Sequence, residues 1–315
     1  MESAVQTKMQ QKKNRSFKSH PFWRDRYLYL LLVPVIIYYI IFKYLPMAGI
    51  VMAFKDYKFS SGIFGSPWVG LKHFQGLMHS QDFFLVFRNT ILLNIYSLVF
   101  GFPIPIVLAI LFNEIRSTWY RRTLQQVIYL PHFFSWIILG GMVINILSPR
   151  AGAVNAILEH ITGQKIFFMA NNFWWPVMFV ISGIWKEAGW GTIIYLAGIS
   201  GIDPELYEAS IIDGANKWKQ ITHITLPCLS STIVITLILR MGSMMDVGFE
   251  QVFMLQNNAV IKVADVISTY VYRMGVAGYQ YSATTAIGIF QSVIGLLLIM
   301  SANKLARKYS GSGIW

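Results

Sequence analysis

The chain has 315 residues, of which 55% are apolar, 15% aromatic and 13% charged, where a soluble domain carries about 25% charged residues. With a mean hydropathy of +0.51, that composition excludes a soluble globular domain and indicates an integral membrane protein. The net charge of +12 does not argue for nucleic acid, because the basic residues gather beside apolar stretches as the positive-inside rule requires.

Residues 1–26 hold seven basic residues, from Lys8 to Arg26, against Glu2 and Asp25, and read as a cytoplasmic tail. The first span is expected over 27–46, about the 20 residues that a bilayer core needs. It is too long, and lacks the small-residue cleavage site, for a signal peptide. Gly62, Gly65, Pro67 and Gly70 mark turns in the loop over 50–83, where Trp68 and Phe74 suit an interface. A second span over 84–112 is interrupted by Gly101, Pro103 and Pro105. Arg116, Arg121 and Arg122 put the link 113–122 inside. The third span, 123–147, has a kink at Leu130-Pro131-His132, and the outer loop 148–171 contains a short helix over 154–160. The fourth span covers 173–198 and the fifth 226–255, whose length suggests that its outer end leaves the lipid. The sixth, 283–305, is closed by Lys304, Arg307 and Lys308.

Fifteen of the 26 Lys and Arg fall in the tails and inner loops, and seven in the outer loops. This predicts an all-α membrane protein of six transmembrane helices with both termini cytoplasmic: a tail over 1–26, a permease-like body over 27–305 and a C-terminal tail over 306–315. The lone cysteine, Cys228, precludes an intramolecular disulfide.

The interval between spans four and five is polar but reads as folded. Asp203 is a good N-cap, Pro204 suits the first helical position, and Glu205 places an acid in the first turn. Gly214 can take the positive φ that stops a helix. A second helical stretch is expected over 215–222, with Pro227 opening the next span. A surface helix lying on lipid would carry Lys and Arg, whereas this one offers Asp203, Glu205, Glu208 and Asp213, which invite a basic protein surface. Ala209 and Ser210 are small enough for close approach.

No G-x-x-x-x-G-K-[ST] or H-E-x-x-H pattern occurs, and the six histidines lack metal-ligand spacing, so no catalytic, metal or nucleotide site is expected. His132, after Pro131, is expected to satisfy a backbone group. A charge at mid-bilayer costs about 2.5–3.5 kcal/mol on insertion scales, so it should face a watery path or a partner. Lys186 and Glu187 lie between Trp185 and Trp190. Asp246 and Glu250, four apart, are expected on one face of span five, with Arg240 before them. Two readings stand: an ion-pair set holding the bundle together, or an aromatic-lined polar cavity for a hydrophilic solute.

Glu208-Ala209-Ser210, Gly214, Ile224 and Leu226-Pro227 together resemble the E-A-A…G…I-x-L-P motif of binding-protein-dependent ABC importer permeases, with Ser in place of the third-position Ala. Arg88-Asn89-Thr90, Tyr129 to Phe133, Gly191 to Leu196 and Phe249 to Phe253 are similar to the branch that carries complex oligosaccharides. The resemblance implies a type I importer fold and a non-catalytic subunit forming half of a carbohydrate pathway. Its partners would be a second, non-identical permease, two cytoplasmic ATPases holding ATP and Mg, and an extracytoplasmic solute-binding lipoprotein. The loop 203–224 would be the coupling element, with contacts through Glu205, Glu208, Ala209, Ser210, Asp213, Gly214 and Ala215, and with Leu226 and Pro227 joining it to span five. A permease for peptide or phosphate is the nearest alternative.

Overall fold

The computed structural model describes residues 26–311, 313 and 314; apart from Arg26, the basic tail lies outside them. The elements are helices: α1 (Arg26–Phe54), α2 (Gln81–Glu114), α3 (Thr118–Phe133), α4 (Trp136–Ile146), α5 (Ala153–Thr162), α6 (Trp174–Ser200), α7 (Pro204–Ile212), α8 (Lys217–Gly242), α9 (Phe249–Leu255), α10 (Ile267–Tyr272) and α11 (Tyr281–Ser310). Among the described residues there is no strand beyond one antiparallel bridge, Lys55 to Trp68. Four of the helices, α1, α2, α8 and α11, are long and apolar enough to cross a membrane; α3 and α4 qualify only together, across a 103° bend. At 27 residues α6 is long enough, but Lys186, Glu187 and three glycines dilute its middle.

Proline explains where these helices yield. Its missing N–H leaves a carbonyl one turn back without a partner. In α2 the chain passes Pro103 after one widened turn, Ser97–Gly101, and in α8 it passes Pro227 after another, Ile221–Thr225. Widened turns of this kind absorb a local mismatch without ending the helix. The stretch expected as a separate helix over 215–222 is therefore the first part of α8. At Pro131 the outcome differs, because Phe134 and Ser135 go extended and the chain leaves at a new angle.

Span five does not run to Leu255 as one helix. It stops at Gly242, and Gly248, at φ +83°, turns the chain before α9. Span six instead runs on past residue 305 to Ser310.

Three buried clusters hold the bundle. Trp175 and Phe179 of α6 meet Val252 and Leu255 of α9. Phe83 of α2, Ile267 of α10 and Ile287 of α11 form the second, and Ala109, Tyr195 and Leu229 join α2, α6 and α8 in the third. Helix α6 is thus the post shared by the first and third clusters. Gly189 lets it touch α3 directly, since a β-carbon there would fall 2.3 Å from the Ile128 carbonyl oxygen. By contrast α1 has no buried residue before Ala53 and meets the rest through its last turns, Ala48–Phe54, against α11.

Candidate functional site: an inner hairpin and a membrane cavity

The polar interval folds as the local signals require. Asp203 caps α7 by accepting from the Glu205 N–H at 3.0 Å, and Pro204 takes the first helical position. Gly214, at φ +75°, ends the helix, with the Ala215 N–H reaching back to the Ser210 carbonyl at 2.9 Å. Asn216 then caps α8 through the Lys219 N–H at 2.9 Å.

Side chains lock the two arms together. Tyr207 Oη lies 2.9 Å from Thr225 Oγ1. Ser210 Oγ donates to the Tyr207 carbonyl at 2.7 Å and accepts from Gln220 Nε2 at 3.1 Å. Lys217 pairs with Glu114, at the end of α2, at 2.9 Å. The hydroxyl that departs from the family motif is therefore used as a brace. Glu205, Glu208, Ala209, Asp213 and Gly214 are exposed, whereas Ala215 and Leu226 are half-buried.

Sequence reasoning missed the apolar part of this surface. Leu206, Ile211, Ile212 and Trp218 all stand in the open, Ile212 at 87% exposure. The visible signal was an isoleucine pair inside an acidic segment. A charged rim around exposed aliphatic and aromatic side chains is the make-up of a protein-docking surface.

The second feature is a cavity of about 570 Å³ between α2, α6 and α8, lined among others by Trp136, Glu187, Trp190, Tyr195, Arg240 and Asp246. Of the six residues expected along a solute path, Glu187, Trp190 and Asp246 reach it. Trp185, Lys186 and Glu250 are not among its lining residues. Asp246 and Glu250 do not share a helix face: Asp246 sits in the turn after α8, bonded to the Gly248 N–H at 2.9 Å, and Glu250 belongs to α9.

Lys186 points into the break between α3 and α4. Its ammonium is 2.7 Å from both the His132 and Phe134 carbonyl oxygens, and the residue is only 8% exposed. His132 was expected to satisfy a backbone group with its ring. Instead its carbonyl accepts from Lys186, while its ring Nδ1 lies 3.0 Å from Glu187 Oε2 and the ring stacks on Trp190 at 4.5 Å and 2°. Glu187 also lies 3.9 Å from the Lys186 ammonium. Lys186 serves packing, and Glu187 with Trp190 presents an acid and an aromatic face to the cavity. No cluster of metal-ligating side chains occurs among the described residues.

Residues 101–311 match the model of a family described as the binding-protein-dependent transport system inner membrane component. The chain belongs to this family. It is a membrane-embedded permease subunit of an importer, and not an enzyme. Two relatives from Bacillus subtilis (strain 168) are each 45% identical over 292 residues, 93% of this permease: Protein LplB, covered to 92%, and the polygalacturonan/rhamnogalacturonan transport system permease protein YteP, covered to 91%. Among solved structures, a chain of a bacterial ABC transporter involved in import of the acidic polysaccharide alginate is 43% identical, with a TM-score of 0.85 over 92% of this permease and 98% of that chain. A chain of the bacterial alginate transporter in complex with its alginate pentasaccharide-bound periplasmic protein is 42% identical, with a TM-score of 0.86 over 93% and 98%.

Proposed function

We propose that this permease forms half of the translocation pathway of an ATP-driven importer for oligosaccharides. In this reading six spans, with α3 and α4 together as one and α6 as another, leave both termini in the cytoplasm. A second, non-identical permease completes the pathway, two ATPases bind ATP and Mg beneath it, and a solute-binding lipoprotein delivers cargo outside.

The observation that carries the reading is the braced hairpin over 203–224. A capped helix tied by Tyr207–Thr225 and Ser210–Gln220 bonds to the start of α8 transmits a push without folding up. The Lys217–Glu114 pair connects the same push to the inner end of α2. Because α2 and α8 both wall the cavity, displacement at the hairpin becomes a change in the cavity's shape. The sugar assignment draws support from the wall chemistry. Trp190 offers a flat apolar face for a pyranose, while Glu187 and Asp246 accept from hydroxyls. The cargoes named for the similar proteins, alginate and rhamnogalacturonan, are consistent with it.

The test is purification of the assembled complex from native membrane, identification of its subunits and of the binding protein's ligand, and uptake into proteoliposomes. Expected are two ATPases, a second permease and ATP-dependent uptake of an oligosaccharide. Uptake without any ATPase, or a peptide ligand on the binding protein, overturns it.

A further inference from the structure

The loop between α1 and α2 is a small folded lobe that holds aromatic side chains in the open. Phe59 is 89% exposed and Phe64 97%. Their exposure is built, since the backbone beneath them is tied down. Lys55 Nζ donates to the Ile63 and Phe64 carbonyls at 2.8 and 3.1 Å, the Lys58 N–H donates to Ser66 Oγ at 3.0 Å, and Ser66 Oγ donates to the Gly62 carbonyl at 2.6 Å. Gly62 and Gly70, at φ +63° and +61°, make its turns. Trp68, also exposed, stacks on Phe54 with ring centroids 5.7 Å apart and planes 9° apart.

These contacts fix the lobe's height. Phe54 is the last residue of α1, whose 29 residues span about 43 Å at 1.5 Å per residue. That is the full thickness of a bilayer with its headgroups, so a helix that starts at one headgroup level and runs along the bilayer normal brings Phe54 to the other. Trp68 stands against Phe54, and Phe64 is within reach of the lysine that follows it. The lobe therefore sits beside the span's end, where Ser282 at the start of α11 also bonds the Tyr57 N–H and the Lys55 carbonyl. Its exposed face sets Phe59, Phe64 and Trp68 beside Lys58 and Lys72, with Asp56 the one acid among residues 55–72, and so pairs aromatic rings with ammonium groups that suit lipid phosphates.

We propose that residues 55–72 form a lipid anchor, with Phe59 and Phe64 seated in the headgroup–acyl boundary. The anchor answers a need of this fold. Within this chain helix α1 packs mainly through its last turns, Ala48–Phe54, and a lobe gripping the membrane there holds that end. Neither the solute class nor the coupling hairpin enters this inference; it uses the proposed topology only to say that the leaflet is the outer one.

The test uses the assembled importer in nanodiscs. Cys228→Ser removes the single native cysteine, and Phe59→Cys or Phe64→Cys then carries an environment-sensitive fluorophore. Both positions are exposed, so folding should be unaffected. Phosphatidylcholine with a spin label high on its acyl chain is expected to quench either probe at least twofold, with aqueous iodide quenching weakly and added binding protein changing neither. Full iodide quenching without lipid quenching overturns the anchor. So does shielding that appears only when the binding protein is added, which would make the lobe a protein-docking surface. Uptake by the same nanodisc-derived complex in proteoliposomes reports separately on the transport reading.

Discussion

Lys186→Met separates the two roles that a lysine inside a span could have. In the structure its ammonium makes two bonds of 2.7 Å to carbonyls at the α3–α4 break, and the residue is not among those lining the cavity between α2, α6 and α8. Methionine fills similar volume but donates nothing, leaving two acceptors without partners in a water-poor place. Each costs about 1–3 kcal/mol, so the variant should lose about 2–6 kcal/mol, a large share of the 5–15 kcal/mol that ordinarily separates folded from unfolded. Lys186→Arg keeps donors and should recover most of it. The assay is the thermal midpoint of the purified complex, measured with uptake kinetics in proteoliposomes. The Met variant should show a lowered midpoint and reduced maximal uptake, with KM unchanged in the fraction that remains folded. An unchanged midpoint with a raised KM would mean that the ammonium reads solute, and the stapling argument would be wrong.

Three further outcomes follow from the geometry. Gly214→Pro, which cannot adopt the φ of +75° found there, and Glu208→Lys, which reverses a charge on the exposed rim, should each abolish uptake while membrane insertion stays intact; normal uptake by both removes the coupling assignment. Ile212→Asp, at a side chain 87% exposed, should leave thermal stability within about 0.5 kcal/mol but release the ATPases during affinity purification. Arg273→Gln leaves the Asp265 carboxylate, bonded by Arg273 at 2.6 Å and otherwise buried, without its cation. The pair is half open on the arginine side, so a loss of about 1–3 kcal/mol is expected, readable as a lowered midpoint that Arg273→Lys partly restores.

The hairpin was legible in the sequence because every determinant of its shape is local. Asp203, Pro204 and Gly214 act on backbone within a few residues of themselves, and the structure keeps each in its expected place. Its exposed apolar face was not read, since exposure of Ile211 and Ile212 depends on how the whole loop stands away from the bundle. The turn after α8 was missed for a different reason. Gly242 looks like a packing glycine in an apolar run, and only the fold reveals that the helix stops there and that Gly248, at φ +83°, turns the chain. The partners of Lys186 were beyond sequence reasoning altogether, because they are carbonyls 54 and 52 residues away that exist as free acceptors only once the chain has broken.

That last dependence runs in both directions. Pro103 and Pro227 are passed by widened turns, and the helix continues on the far side of each. Past Pro131 the chain turns by 103°, and there Lys186 of α6 bonds two of the carbonyls that the break frees. A proline in a span thus proposes a break, and a donor elsewhere in the fold decides whether it occurs. The buried charge on α6 is then the condition for the α3–α4 bend, and through it for His132 lying flat on Trp190 at the cavity wall. Changing Pro131 to Ala while keeping Lys186 should preserve the bend, whereas removing Lys186 while keeping Pro131 should not. Distances between spin labels placed on α3 and α4 would tell the two apart, and a bend that survives only where the proline survives would reverse the order of cause argued here.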